Sequence, residues 1–516
     1  MSYSSDIIEA VLNGKVKDRD SLQRLKVDLC KKYSLSRTPS NSEILAEVPK
    51  DMRSKVEPLL RLKPIRSLSG VAVVAVMASP ASCPHGKCIY CPGGPEKGTA
   101  QSYTGYEPAA RRAADNEFDP FRQVECRLKQ LIASGHPVDK IDLIVMGGTF
   151  PAREINYQQY FILRCFDAMN GTESTSINEA HKMNESAPSR CVGLTIETRP
   201  DQFDQKQIEF LTNLGMTRVE LGVQTVFEDC LANLNRGHTI FDTVMATQRA
   251  KRNGLKVGYH MMPGLPGSNL EKDVENFRTI FEGPRFRPDM LKIYPTLVIK
   301  GTKLYDMWSK GEYEPPDTNY IVDLLVKVKQ FVPEWVRIQR IQRDIPIPQI
   351  EAGARQSHTR QLIAQQLKEK GAKCRCIRCR EIGHTLLEEI PDKLEFKQLE
   401  YSASNGTEHF IEIQDPASDA LIGFTRLRID DDISGLVATV RELRIYGQQV
   451  PIDDHIPKAM QHKGYGKQLL ERCEEIAKDE GVNKLRVTSG VGARGYYRRL
   501  GYESDGFYMS KNLPSR

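Results

Sequence analysis

The sequence predicts an α/β protein in two parts: a parallel sheet or barrel of repeated βα units, then a second, smaller α/β domain. Three observations predict it. Seven short apolar runs alternate with amphipathic helical patterns between Val71 and Ile341. Five of those runs end in polar or glycine residues, where a parallel barrel builds its active site. Around Glu381 the texture changes to longer, antiparallel-type strand patterns. Alternating strand and helix periods are the signature of βα units, and 516 residues leave room for two to four domains.

In chain order, residues 1–65 read as a basic helical segment with polar turns. A domain over 66–345 follows. Its strands are expected at Val71–Met77, Ile141–Met146, Val192–Glu197, Arg218–Val223, Lys256–Met261, Met290–Tyr294 and Trp335–Ile341. Its helices are expected at Phe121–Ser134, Tyr157–Met169, Asp204–Leu214, Phe241–Asn253, Leu270–Phe281 and Tyr320–Val332. The polar stretch Asn170–Arg190 is expected to be an inserted surface loop. Residues 346–391 form a basic linker with a cysteine trio. In the last domain, 392–516, FIEIQD, ALIGFTRLRI and ATVRELRIYG read as strands, a helix starts at Gly466, and Lys484–Thr488 is a further strand.

The net charge of +6 is mild but unevenly spread. Eleven Lys/Arg stand against three Asp/Glu from Arg337 to Arg380, and fourteen against nine in residues 1–70. Local basic excess suits a polyanion such as nucleic acid; a solvated helix face is the other reading. Six of the twelve cysteines fall in two tight trios, a pattern of metal ligation in a reducing compartment and not of a disulfide scaffold. The N-terminus has no signal-peptide apolar core, and no run of 18 apolar residues occurs. A cytoplasmic protein is therefore expected, neither secreted nor spanning a membrane.

Cys83, Cys88 and Cys91 sit in CPHGKCIYC, directly after the first strand run. Three thiolates with no fourth nearby can hold three irons of a 4Fe–4S cluster. The fourth iron is then open to bind and reduce S-adenosylmethionine, SAM. A zinc knuckle, or a loop with incidental cysteines, would show the same spacing. The other strand ends favour the cluster. Gly147, Gly148 and Thr149 follow Met146; Glu197 and Arg199 end VGLTIETRPD; Gln224 ends VELGVQT; His260 lies in KVGYHMMPGLPG and Tyr294 in LKIYP. Glycines at such ends let backbone groups approach a ligand. Five polar ends around one trio exceed what packing needs.

These motifs resemble the radical SAM superfamily, in a variant with four residues instead of three between the first two cysteines. CPHGKCIYCPGGPEKGTAQSYTGYEP, VMGGTFPA, IETRPD, ELGVQT and YHMMPGLPG resemble the Elongator catalytic subunit family, and the resemblance runs over nearly the whole chain. The shortened cysteine loop and a full second trio are more like its archaeal and bacterial members.

Further on, Gln461-His462-Lys463-Gly464-Tyr465-Gly466 opens an amphipathic helix with Leu469, Leu470, Cys473, Ile476 and Ala477 on one face. A glycine-rich turn feeding a helix N-terminus offers free N–H groups to a pyrophosphate. The strand Val440–Tyr446 before it and GVGARGYYRRLGY after it give the order of a GNAT acetyltransferase, which binds acetyl-CoA. Aromatic packing is the other reading of Tyr496 and Tyr497. The family resemblance implies that Glu442, Leu443, Arg444 and Ile445 line the acetyl-CoA arm. It implies that Tyr465, Gly466 and Lys467, with Gln461, Lys463 and Gly464, cradle the pyrophosphate. It makes Tyr496 and Tyr497 candidates at the acetyl end, and Lys140 a reach from the barrel to the acetyl-CoA.

Cys374, Cys376 and Cys379 form the second trio, C-x-C-x2-C, which suggests a structural zinc lacking one ligand. His384 or a barrel histidine would supply it; a basic loop with incidental thiols is the alternative. The interleaved Arg375, Arg378 and Arg380 would then present three cations to a phosphate backbone.

The resemblance implies one reaction using both cofactors: carboxymethylation of the tRNA wobble uridine at C5. A SAM-derived 5′-deoxyadenosyl radical would take hydrogen from the acetyl methyl of acetyl-CoA, and the resulting carbon radical would add to the uracil ring. The partners expected are the tRNA anticodon stem-loop and an electron donor, with the chain a stand-alone monomer or a homodimer. Two rivals remain: a protein lysine acetyltransferase with a structural radical domain and Glu442 recruited as base, and a tRNA-binding scaffold with degenerate sites.

Overall fold

All seven apolar runs form one sheet, parallel throughout and ordered as in the chain: β1 Ala72–Met77, β2 Lys140–Met146, β3 Arg190–Thr198, β4 Arg218–Gln224, β5 Lys256–Met261, β6 Met290–Ile293 and β7 Arg337–Arg340. The computed structural model describes residues 2–49, 51–62, 70–356, 358–384, 393–432, 435–447 and 463–514. Side chains alternate faces along a strand. Val74, Val76, Leu143, Leu194, Val219 and Val257 therefore point outward into one apolar core with the covering helices. The alternate residues, among them Asp142, Glu197, Arg218, Glu220 and His260, line the inside. β1 and β7 are the two edges and do not pair with each other, so the half-barrel is open along one side.

A second seven-stranded sheet follows: β8 Glu395–Ala403, β9 Gly406–Asp415, β10 Ala420–Asp432, β11 Gly435–Ile445, β12 Lys484–Val487, β13 Glu503–Asp505 and β14 Tyr508–Asn512, in the order β13-β14-β12-β11-β10-β9-β8. Its one parallel pair, β11 with β12, is in register only over Ala438–Val440. Beyond Val440 the pairing with β12 ends, and β11 runs on to Ile445 paired with β10. The helix Tyr465–Asp479 packs Leu469, Leu470, Cys473, Ile476 and Ala477 onto this sheet, as its spacing predicts. Before the barrel, the helices Tyr3–Leu12, Arg19–Lys32, Asn41–Glu47 and Arg53–Leu60 share a core of Ile7, Ile44, Val56 and Leu60.

The stretch Asn170–Arg190 is not a simple surface loop. It contains the helix Ile177–Asn184, capped by the Ser176 hydroxyl, which accepts from Glu179 N at 3.3 Å. Its inward positions are Ala180, His181 and Asn184, small or polar residues that hide the amphipathic pattern. Asn184 compensates by donating to Asn170 Oδ1 (2.8 Å) and Ser189 O (3.1 Å) and accepting from Cys191 N (2.7 Å). The strands β13 and β14, too short for a clear period, were not visible as separate elements.

The second sheet covers the N-terminal ends of the barrel strands. Arg441 on β11 donates to both oxygens of Asp289, just before β6, at 2.7 and 2.8 Å, and to Glu408 on β9 at 2.7 Å. Lys251 lies 3.3 Å from Glu408 and 3.6 Å from Asp289; Arg426 lies 3.5 Å from Asp289. All are buried, and the surrounding cations hold the Asp289 carboxyl well below its usual range in spite of burial. The loop Gly490–Gly492 rests directly on β3. A Cβ on Gly490 would stand 2.3 Å from Val192 O, and one on Gly492 2.5 Å from Arg190 Cβ, so neither position admits a side chain. Among the described residues no helix is long and apolar enough to cross a membrane.

Candidate active site

At the opposite, C-terminal ends of the strands, the loop after β1 brings the first trio to the mouth of a cavity. Gly86 N donates to Cys83 O and Cys91 N to Cys88 O, two tight turns that bend the loop back. Gln101 pins it, accepting from Cys83 N at 2.7 Å and donating to Gly86 O at 2.7 Å. Each sulfur has a polar neighbour. Ser102 N donates to Cys91 Sγ at 3.0 Å, Arg236 Nη1 to Cys88 Sγ at 3.6 Å, and Thr149 Oγ1 lies 3.4 Å from Cys83 Sγ. Such donors stabilise thiolates and tune a cluster they hold. Desolvation raises the Cys83 and Cys91 thiols, which ligation to iron would offset.

The structure gathers the sequence-predicted strand ends around this cavity. Gly148, Thr149, Glu197, Arg199, Gln224, His260 and Tyr294 all line it with Cys83. Gly147 stands behind it; at φ 127° its backbone needs glycine, and a Cβ would press on Ala78 at 3.1 Å. Gln224 adopts a left-handed φ of 70°, which ends β4 and turns its side chain to the cavity. Arg199 forms a two-pronged pair with Asp201 at 2.9 Å.

The sequence reading missed the floor of the site. Glu220 accepts from His260 Nε2 at 2.9 Å, and Lys292 bridges Glu220 and Glu197, donating to Glu197 Oε1 at 3.1 Å. Tyr103 OH donates to the other Glu197 oxygen at 2.9 Å. Glu197, Glu220 and His260 are close enough to hold a metal ion, but Lys292 already supplies the positive charge there. A charged residue inside an apolar strand is the signal: Glu220 shares its face with Gln224, and Lys292 shares its face with Tyr294. Arg236 and Arg343, also missed, carry no local pattern. Arg343 donates to Ser102 O and lies 5.9 Å from the ring centres of Tyr103 and Tyr294, across the cavity mouth.

On the second sheet, Gly464 caps the helix Tyr465–Asp479 at φ 85°. The first intrahelical bonds, Lys467 N and Gln468 N to Gly464 O, leave the earlier N–H groups at the open end, where an anion is favoured. A Cβ on Gly466 would meet Tyr496 OH at 2.8 Å, so Tyr496 faces this turn. Tyr497 is buried in the core between Tyr496 and Tyr502, with ring centres 5.2 and 6.0 Å away. Leu443, Arg444 and Ile445 are half-buried on the part of β11 beyond its pairing with β12, and a Cβ on Gly466 would lie 3.9 Å from the Ile445 side chain. Lys463 and Lys467 are exposed; Gln461 lies outside the described residues. Glu442 points the other way, into the domain interface. Arg426 donates to it at 3.0 Å, and against the pull of burial that cation keeps its carboxyl below the usual range. Lys140 opens β2 beside Arg190, the residue under Gly492, so it lies at the barrel face that the second sheet covers. Burial lowers its ammonium from the usual range.

Cys374, Cys376 and Cys379 converge, with their sulfurs all within 4.8 Å. His384 is not part of that group. Instead Lys329 donates to Cys374 Sγ at 3.0 Å and Cys379 Sγ at 3.4 Å. The three arginines do not form the exposed set expected. Arg380 is only 3 % exposed and donates to Glu412 at 2.8 and 2.9 Å and to Gln414 at 2.6 Å. Arg375 pairs with Asp419 at 2.8 Å and with Glu334. Both tie the linker to the second sheet and its surroundings, because β9 and the turn before β10 present carboxylates there.

The fold and the two sites define a radical SAM domain joined to a GNAT acetyltransferase domain. Family models agree: ELP3 N-terminal domain over residues 1–68, Radical SAM superfamily over 79–280, Radical_SAM C-terminal domain over 288–369, and Acetyltransferase (GNAT) family over 378–502. The chain is 48% identical over 526 residues to a tRNA uridine(34) acetyltransferase of Methanocaldococcus jannaschii, covering 98% of this chain and 97% of that one. It is 43% identical over 529 residues to human Elongator complex protein 3, covering 98% and 96%. A solved structure of Methanocaldococcus infernus Elp3, lacking residues 1–46, superposes with a TM-score of 0.76 at 44% identity, covering 86% of this chain and all of that one. The chain belongs to the Elongator Elp3 family. Its radical SAM domain implies a 4Fe–4S cluster and SAM, and its GNAT domain implies acetyl-CoA.

Proposed function

We propose that this protein carboxymethylates the wobble uridine of tRNA at C5, using acetyl-CoA and SAM. One observation carries the reading: a cysteine-lined cavity at the strand ends and a glycine turn opening a GNAT helix occur in one chain, on two domains that share a buried interface. The name of the 48%-identical relative agrees. When bound, the cluster and SAM supply a radical that removes hydrogen from an unactivated methyl group. The chain's own residues do the rest. Cys83, Cys88 and Cys91 would ligate the cluster, and Gly148, Thr149, Glu197, Arg199, Gln224 and His260, which line the same cavity as Cys83, would hold SAM. The β11 arm and the turn at Gly464 hold acetyl-CoA, with Lys140, Tyr496 and Tyr497 near its acyl end. Lys292 pairs with Glu197 and Glu220 in the buried floor, and its charge holds the Glu220 carboxyl below its usual range in spite of burial. Residues 1–65 bind the anticodon stem-loop as part of the RNA surface. The chain works in the cytoplasm, as a monomer or homodimer served by an electron donor.

Incubating tRNA, acetyl-CoA, SAM and a reductant anaerobically, then measuring SAM cleavage and the wobble nucleoside by mass spectrometry, tests this. Modified uridine is expected; unmodified tRNA with acetylated protein would replace it with the lysine acetyltransferase reading. Glu442 is poorly suited as that reading's base, since Arg426 holds its carboxylate. The second trio suits a structural zinc within the 346–391 linker. Its three convergent sulfurs fit thiolate ligation, with the fourth position open to a ligand from outside the trio. Elemental analysis should find one zinc per chain, lost in Cys376→Ser; a zinc-free wild type would remove this assignment.

A further inference from the structure

We propose that the trough along the open side of the half-barrel receives one extruded nucleotide of the RNA substrate, its base on the inner face of β1 and β2 and its phosphate on an arginine rim. The proposal rests on the tRNA reading above. The trough is a cavity of about 460 Å³, a volume suited to a nucleotide-sized ligand. Its floor is Val73, Ala75 and Ile144. On an edge strand whose neighbours Ala72 and Val74 are fully covered, Val73 is 41% exposed. That is an apolar surface left bare on the inside of a barrel, where packing would ordinarily fill it.

The rim is cationic. Arg112, Arg127 and Arg340 border the trough, and the carboxylate among its lining residues, Asp344, is paired with Arg340 at 2.5 Å. Arg112 is fixed in place, donating from Nη2 to Ala75 O on the edge strand at 2.7 Å, and its buried Nε has no hydrogen-bond partner. An apolar floor beneath fixed guanidinium groups matches a base with its phosphate.

Two continuities choose RNA over the other anionic substrate, CoA. Ala109, Met146, Arg340 and Asp344 line both the trough and the radical cavity, so a base in the trough leads directly to the radical chemistry. At its other end the trough wall includes His136, and the basic N-terminal helices dock one residue before it: Arg61 Nε donates to Gly135 O at 2.6 Å and Leu62 N to Ser134 O at 3.1 Å. CoA already has a pyrophosphate turn at Gly464, on the second sheet. Chemistry on a base requires it to leave its stack, and the trough is where it goes.

Two variants test this: Val73→Trp, which fills the trough, and Arg127→Glu, which reverses a rim charge on a partly exposed helix position. Binding of an anticodon stem-loop RNA, intact or lacking the wobble base, is measured by fluorescence anisotropy across a salt series, with acetyl-CoA binding in parallel. The wild type should bind the intact loop more tightly than the abasic one, by about tenfold. Val73→Trp should erase that difference. Arg127→Glu should weaken both loops alike and lower the slope of log affinity against log salt by about 1. Acetyl-CoA affinity should not move. An unchanged intact-to-abasic ratio in Val73→Trp, with an unchanged salt slope in Arg127→Glu, overturns the trough but leaves the tRNA reading standing. Lost acetyl-CoA binding in either variant assigns the trough to CoA and overturns the proposal. A wild type that binds neither loop overturns the tRNA reading and the proposal together.

Discussion

The two ends of the half-barrel carry similar charged residues and use them differently. At the C-terminal strand ends, Cys83, Glu197, Arg199 and His260 border a cavity, and the charged ones find their partners within the barrel domain: Lys292 and Tyr103 for Glu197, Asp201 for Arg199 and Glu220 for His260. At the N-terminal ends, Lys251 and Asp289 are covered by the second sheet, and Arg426, Arg441 and Glu408 meet them with opposite charge. Charge at the open end is paired within one domain around an open cavity; charge at the closed end is paired across to the neighbouring domain. Buried pairs of the second kind set how the domains dock more than they add net stability. One end should thus respond to mutation in chemistry, the other in folding.

The largest effect should come at the open end. Cys88→Ser should abolish wobble modification while leaving acetyl-CoA affinity and the thermal transition unchanged. Retained modification would remove the cluster assignment, and lost acetyl-CoA affinity would break the separation of the ends. At the closed end, Asp289→Asn leaves Arg441, Lys251 and Arg426 short of a counter-charge. It should lower stability by about 3–5 kcal/mol in urea titration while SAM binding below the transition is kept; a loss under about 1 kcal/mol would show the closed end to be no tighter than a surface. The closed end should also be acid-sensitive. Burial, with Arg494 nearby, brings His181 down to about 4 from its ordinary 6.5. The unfolded chain then takes a proton that the fold refuses, so stability is lost as pH falls from 6.5 to 4. The loss should be about 3 kcal/mol, reduced in His181→Gln. A flat stability profile across that window in the wild type would contradict the buried neutral ring. The smallest effect belongs to the rim of the same interface. Arg252 meets Asp432 at 3.4 Å in solvent, and Arg252→Ala should cost less than about 1 kcal/mol in the same titration.

Much of this was legible in the sequence because strand and motif coincide. Most apolar runs that became barrel strands end in a polar residue that reaches the cavity: Glu197, Gln224, His260 and Tyr294. The floor was less legible. Glu220 and Lys292 are single charges within apolar runs, and only their partners in space reveal that they form one network with His260. The helix Ile177–Asn184 was hidden because its buried face is Ala, His and Asn. The arginines of the second trio show the opposite failure. Arg375 and Arg380 look like a cationic display in one dimension, yet Asp419 and Glu412, from 32 to 44 residues away, neutralise them.

The salt-bridge cluster between the domains also sets a schedule for synthesis. Arg441 lies 152 residues beyond Asp289, and Glu408 157 beyond Lys251. At a translation rate of about 5–20 residues per second, Asp289, already beside Lys251, waits about 8–30 s for Arg441. During that interval the nascent barrel stands on the ribosome with a charged face awaiting its cover. The acetyltransferase sheet therefore acts as a late-arriving lid on the barrel's folding, and a covalent tether keeps that lid at high local concentration. Splitting the gene at the linker would replace a timed intramolecular closure with a search between two half-finished proteins.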